Sequence, residues 1–135
     1  MNDISEDDNF PTPQGELTLQ TVALPSDANA EGDIFGGWLV SQMDLAGAVT
    51  ANRLARGRVA TVALDSMVFL RPVAVGSVVS CYTTVKDIGR SSMAIVVEVW
   101  AQHYSDAECR KVTEGQFTFV AIDENRRTRP VPRTS

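Results

Sequence analysis

Asp27-Ala28-Asn29-Ala30-Glu31-Gly32-Asp33-Ile34-Phe35-Gly36-Gly37-Trp38-Leu39-Val40-Ser41-Gln42-Met43-Asp44 is the stretch on which the fold turns. It begins as a loop rich in Asp, Asn and Gly and ends inside a helix. The loop, residues 26–35, follows Pro25 and is long for a compact domain, where such connections are often functional. From 36 to 56 the chain reads as one long helix, closed by Gly57 as its C-terminal cap. At about 100° per residue, Gln42, Asn52, Arg53 and Arg56 gather on one side. Asp44 stands nearly opposite Arg53, among Gly37, Val40, Gly47, Ala48 and Ala51. On that side of small residues another backbone or a thin ligand can approach closely. The polar side also carries Trp38, Leu45 and Val49, so the helix is expected to be largely wrapped by protein.

Outward from the helix, the rest of the chain reads as strand. Residues 16–24, rich in Leu, Thr and Val, form one strand before Pro25. Four more follow the helix, at 59–73, 77–88, 91–104 and 113–123. The alternation is clearest where Met93, Ile95, Val97, Val99 and Ala101 share one face, and it returns with Phe117, Phe119 and Ala121. One helix on a long curved antiparallel sheet is an α+β arrangement of about five strands. Sheet edges of this length need cover, which favours an oligomer. Residues 1–15 read as a flexible lead, 16–123 as the single domain and 124–135 as a basic arm containing Pro130 and Pro132.

Composition narrows the class. A chain of 135 residues hides roughly two-thirds of its unfolded surface and needs no disulfides. Cys81 and Cys109 form no CxxC pair and read as unpaired thiols of a reducing, cytoplasmic compartment. The acidic start carries no secretory signal, and no apolar run approaches the ~20 residues of a membrane span. Net charge is −5, with no basic stripe, so nucleic acid is not an expected partner. No cluster of His, Cys and carboxylates suggests a metal. His103, the only histidine, falls near a strand end.

Asp44 is an odd residue for its surroundings, because desolvation disfavours a charged carboxylate without partners. The helix alone leaves two readings open: a structural aspartate bonded to a neighbouring subunit or to water, or a reactive group. Gly36 and Gly37 favour the second. They open the helix, where unpaired N–H groups and the positive dipole end hold an oxygen that gains negative charge. Asp44 follows about two turns later and can serve as general base or nucleophile. An oxyanion site and a carboxylate on one helix are the minimum equipment for acyl transfer to water. Asn29 offers an amide to orient water or a carbonyl, or is a plain turn residue.

The 27–44 segment closely resembles the signature of hot-dog-fold acyl-CoA thioesterases, of the bacterial YciA type. The likeness continues through Met67-Val68-Phe69-Leu70-Arg71-Pro72-Val73, Val75-Gly76, Gly89-Arg90-Ser91-Ser92 and Glu98-Val99-Trp100, covering roughly residues 14–123. The resemblance implies a curved sheet wrapping a central helix. It also implies dimers joined edge to edge, commonly three to a hexamer, with active sites shared between subunits. Asp44 would then come from one chain, and Asn29 and the Gly37 N–H from the other. By that carry-over Asp44 activates water or attacks directly, Asn29 positions the reacting groups, and Gly37, beside Gly36, polarises the thioester carbonyl. The resemblance does not choose between general-base and anhydride routes.

CoA is part of the substrate, and no separate cofactor is implied. The 89–92 turn occupies the place where related enzymes hold pantetheine and phosphates. Arg90 is the phosphate partner there, with Ser91 and Ser92 helping, unless the turn is simply solvated. Arg71, before Pro72, binds substrate or braces the strand end. An acidic chain must gather positive charge locally for such a ligand, from these residues, Arg56, Arg58, or the arginines of the arm. The arm itself reads either as such a contributor or as a mobile terminus. A serine hydrolase would need a GxSxG elbow, which is absent, and hot-dog dehydratases rely on a helix histidine. A non-catalytic acyl-CoA sensor or binding oligomer remains the alternative.

Overall fold

The computed structural model describes residues 12–133, so most of the expected N-terminal lead lies outside the described residues. The elements are β1 (Glu16–Val22), a short 3-10 turn (Pro25–Asp27), α1 (Gly36–Ala55), β2 (Val59–Phe69), β3 (Val78–Ile88), β4 (Ser92–Gln102) and β5 (Arg110–Ala121). The five strands form one antiparallel sheet in the order β1-β3-β4-β5-β2. One long helix lies across it, as the sequence leads one to expect.

The alternating residues explain the layers. Met93, Ile95, Val97 and Val99 of β4 and Phe119 and Ala121 of β5 are fully buried on the face toward the helix. α1 answers with Leu39, Met43, Ala46, Gly47, Thr50, Ala51 and Ala55, spaced three and four apart as a buried stripe requires. The layers come closest at Gly47, where a Cβ would sit 2.8 Å from the Phe119 ring. At that position the small-residue side is filled by the sheet and not left for a ligand. The expected wrapping of the helix is incomplete in one chain, since Ser41, Leu45 and Arg53 are exposed.

Several boundaries differ from the sequence reading. The helix ends one residue early because Arg56, not Gly57, takes the left-handed cap position (φ 53°, ψ 44°), its N–H bonding to Asn52 O. Asn52 then closes the turn through its side-chain amide on Gly57 O (2.7 Å). β2 stops at Phe69 rather than 73, ahead of Pro72, which has no N–H to offer a ladder. β5 starts earlier, at Arg110, because a bulge between Val99 and Trp100 restores its pairing with β4.

Among the described residues β2 is an edge strand, bonded only to β5. Its apolar side chains are nevertheless open: Val62 is 56%, Val68 68% and Phe69 44% exposed, with Leu70 beyond it at 57%. An unpaired, apolar strand edge is the form of surface that pairs with another chain. The described part of the arm is docked, with an isolated bridge between Ile122 and Thr128 and Val131 buried in the core.

Candidate active site

The 26–35 loop is built around Asn29. Its N–H donates to Asp33 O (2.8 Å), and its carbonyl accepts from Gly32 N–H (3.1 Å). Its side-chain Oδ1 accepts from the N–H groups of Glu31 (3.0 Å) and Asp33 (3.1 Å). The oxygen is thus committed to the loop, and the half-buried side chain has only its NH2 group to offer an incoming molecule. Asn29 is both a turn residue and an oriented donor. Two more bonds, Ile34 N–H to Val73 O (2.8 Å) and Phe35 N–H to Asp27 O (3.0 Å), fix the path into α1.

Phe35 caps the helix with extended backbone and no side-chain bond. The amides of Gly36 and Gly37 therefore find no acceptor among the described residues. Gly36 and Gly37 are exposed, and a Cβ at Gly37 would meet nothing within 4 Å, so an incoming molecule can approach the helix start. An open, uncapped helix start supplies donors and a positive dipole end to a developing oxyanion.

Asp44 is half-buried, and one carboxylate oxygen is held: Thr61 Oγ1 on β2 donates to Oδ1 at 2.7 Å. The second oxygen remains for water or substrate. Thr61 was not singled out by the sequence reading. Its signal was a hydroxyl in the otherwise apolar start of β2, which means little until the helix is laid against that strand.

Separation along the helix decides what one chain can do. Gly37 and Asp44 are seven residues apart, roughly 10 Å along the axis at ~1.5 Å per residue. The Gly37 N–H points out of the N-terminal end, away from Asp44. A carbonyl held by that amide therefore lies out of reach of the same chain's carboxylate, whereas catalysis needs both groups at about 3 Å from the reacting atoms.

The remaining expected residues fall in two places. Arg71 joins Gly36 in a cleft of about 440 Å³ that also includes Ile34, Leu39, Phe69 and Val73. Arg90 and Ser91 line a recess of about 90 Å³ with Thr128, Arg129 and Pro130. Ser92 is turned into its own hairpin, accepting Gly89 N–H on its carbonyl at 2.8 Å. Neither of these recesses is lined by Asp44, Asn29 or Gly37.

A larger cleft of about 500 Å³ sits beside the loop between β4 and β5, with Ser80, Tyr82, His103, Tyr104 and Cys109 on its walls. It contains none of the expected residues. Burial pushes its Cys109 thiol up, a backbone bond at Arg110 acting the other way. Burial also pushes the Cys81 thiol up to about 12. Burial thus works against the reactive thiolate form at both cysteines. Among the described residues no group of three or more His, Cys, Asp and Glu comes together to hold a metal.

Known proteins are similar to this chain in sequence and in fold. Residues 31–106 match the family model described as the thioesterase superfamily. The acyl-CoA thioester hydrolase YciA of Salmonella typhimurium is 51% identical over 124 residues, 90% of this chain and 93% of that protein. A crystal structure of a hexameric broad specificity acyl-coenzyme A thioesterase superposes with a TM-score of 0.89 at 50% identity, over 94% of this chain and 88% of the other. The hexameric thioesterase of Yersinia pestis gives 0.87 at 50% identity, over 91% of this chain and 100% of its own.

Proposed function

The chain belongs to the thioesterase superfamily, and from that membership we propose that it is an acyl-CoA thioester hydrolase whose active site is completed by a second copy of itself. It cleaves an acyl-CoA to free CoA and a carboxylic acid. The observation that carries the shared site is the spacing on α1. An open Gly37 amide and a Thr61-held Asp44 carboxylate share one helix, yet are too far apart and wrongly aimed for one carbonyl. Two chains meeting along the exposed β2 edge, related by a two-fold axis, bring the Asp44 of each toward the Gly37 of the other. Relatives described as hexameric support a homo-oligomer, built as a trimer of such dimers.

In this site the Gly37 N–H, beside Gly36, takes the thioester oxygen and stabilises its negative charge. The free NH2 group of Asn29 holds the attacking water or the same carbonyl. Asp44, oriented by Thr61, removes a proton from water as the water oxygen bonds to the carbonyl carbon. Collapse of the tetrahedral intermediate breaks the C–S bond, and the proton held by Asp44 passes to the leaving sulfur. Direct attack by the free Asp44 oxygen breaks the C–S bond, expels CoA as thiolate and leaves an anhydride. Water opens the anhydride to the free acid and the restored carboxylate, the released proton going to the thiolate. This route uses the same groups. Neither route needs a metal or cofactor. Arg90 and Ser91, with Ser92 shaping their turn, take the nucleotide end of CoA, and Arg71 flanks the cleft beside the helix start.

The hydrolase domain is residues 16–123, with the arm from 124 docked against it and Val131 in its core. No helix among the described residues is long and apolar enough to cross a membrane, and the two free thiols fit a reducing cytoplasm. Release of free CoA from a panel of short, long and aryl thioesters tests the activity. Asp44→Asn is expected to lower kcat by about 100-fold or more while CoA still binds. Hydrolysis at the wild-type rate by that variant would overturn the assignment, and binding without turnover by the wild type would favour a sensor.

A further inference from the structure

Residues 124–133 turn back across the ends of β4 and β5 and are fastened at successive points. The Asp123 carboxylate accepts the N–H groups of Asn125 (2.8 Å) and Arg127 (3.0 Å), which sets the reversal. Arg129 then donates its N–H to Ala121 O (3.0 Å) and its Nε to Ile122 O (2.9 Å). Its guanidinium passes so close to Gly57 that a Cβ there would lie 2.7 Å away. Val131, 3% exposed, is sunk in the core.

What the arm does next bears on the substrate. Val131 N–H donates to Arg90 O (2.8 Å), and the Arg133 guanidinium donates to Gly89 O (2.9 Å). Two consecutive carbonyls of the 89–92 turn are therefore held by the arm, while Ser91 O is held by Ala121 N–H (2.9 Å). With its backbone fixed on both sides, Arg90 presents an exposed side chain beside the recess it shares with Ser91, Thr128, Arg129 and Pro130. Among the described residues no carboxylate lies within 4.0 Å of Arg90, Arg129 or Arg133. The recess is small, about 90 Å³. In a chain of net charge −5, this is positive charge gathered at one end.

We infer that the C-terminal arm is part of the CoA-recognition apparatus, in which Val131 and Arg133 clamp the 89–92 turn so that Arg90 and the arm together receive a phosphate of the nucleotide. The inference rests on the hydrolase reading for the identity of the ligand. Arg133 is a positioning residue, acting through the turn and not on the reacting carbonyl.

Steady-state kinetics on two thioesters of the same acyl group separate these roles: the acyl-CoA, and the acyl-pantetheine that lacks nucleotide and phosphates. Arg133→Ala is expected to raise KM for acyl-CoA by about tenfold, the effect of weakening one charged hydrogen bond. kcat should stay within about twofold, and KM for acyl-pantetheine should not move. Arg133→Lys should recover part of the loss, and a chain ending at Thr128 should show a larger one if it folds. An unchanged KM for acyl-CoA in folded Arg133→Ala protein, or equal rises on both thioesters, would overturn the inference. Calorimetric binding of free CoA and free pantetheine keeps the two readings apart. If the wild type released no CoA, the hydrolase reading would fall. Tenfold weaker CoA binding by Arg133→Ala would still sustain the clamp, and equal binding would end it.

Discussion

Thr61 contributes one hydrogen bond, 2.7 Å to Asp44 Oδ1, and through it fixes which carboxylate oxygen faces the incoming molecule. Replacing it with valine keeps the shape and removes the donor. Because Thr61 is exposed, the cost to stability should be no more than about 1 kcal/mol. The cost to kcat should be larger, about 10- to 100-fold, since a carboxylate misplaced by about 1 Å loses that much. Thr61→Ser, which restores the hydroxyl, should return most of the rate. Thermal melts alongside kcat for the two variants check the prediction, and a valine variant with unaltered kcat would remove Thr61 from the site. The residue also shows where sequence reading ends. Asn29, Gly37 and Asp44 were visible because their chemistry is unusual for their local pattern. Thr61 is a common strand residue, and its role depends on the placement of α1 against β2, which no local pattern records.

At the scale of elements, the contact between α1 and the sheet was only half legible. The buried stripe and the alternation in β4 and β5 follow from periodicities of 3.6 and 2, so their inner faces could be named in advance. Gly47 belongs to the side of small residues open to another backbone or a thin ligand, and it is the sheet that fills this place: the Phe119 ring, fully buried and stacked on Phe117, meets the helix there. Two opposing effects bear on Gly47→Ala. Helix propensity favours alanine by about 0.8–1.0 kcal/mol. Against it stands a methyl 2.8 Å from an aromatic ring that cannot move aside, an overpacking cost of about 1–3 kcal/mol. The variant should therefore be destabilised by up to about 2 kcal/mol in urea titrations, and a more stable variant would show that the layers are looser than described. The cap has the same lesson. Gly57 was expected to end the helix by its conformational freedom, but Arg56 takes that position, and Gly57 is where Arg129 packs. A contact between residues so far apart in sequence leaves no local trace.

For the whole molecule, the proposed function makes the chain half of its own active site. The β2 edge carries open Val62, Val68 and Phe69, and the helix bears donors at one end and an acid about two turns on, an order suited to a two-fold partner. Mixing two inactive variants tests this most directly. Asn29→Ala and Asp44→Ala chains, each nearly inactive alone, are dissociated together and reassembled at equal concentration. A mixed dimer has one site with both defects and one site with none, so random reassembly should restore about a quarter of wild-type activity. Activity no higher than that of the separate variants, from mixed oligomers verified by mass, would contradict the shared site.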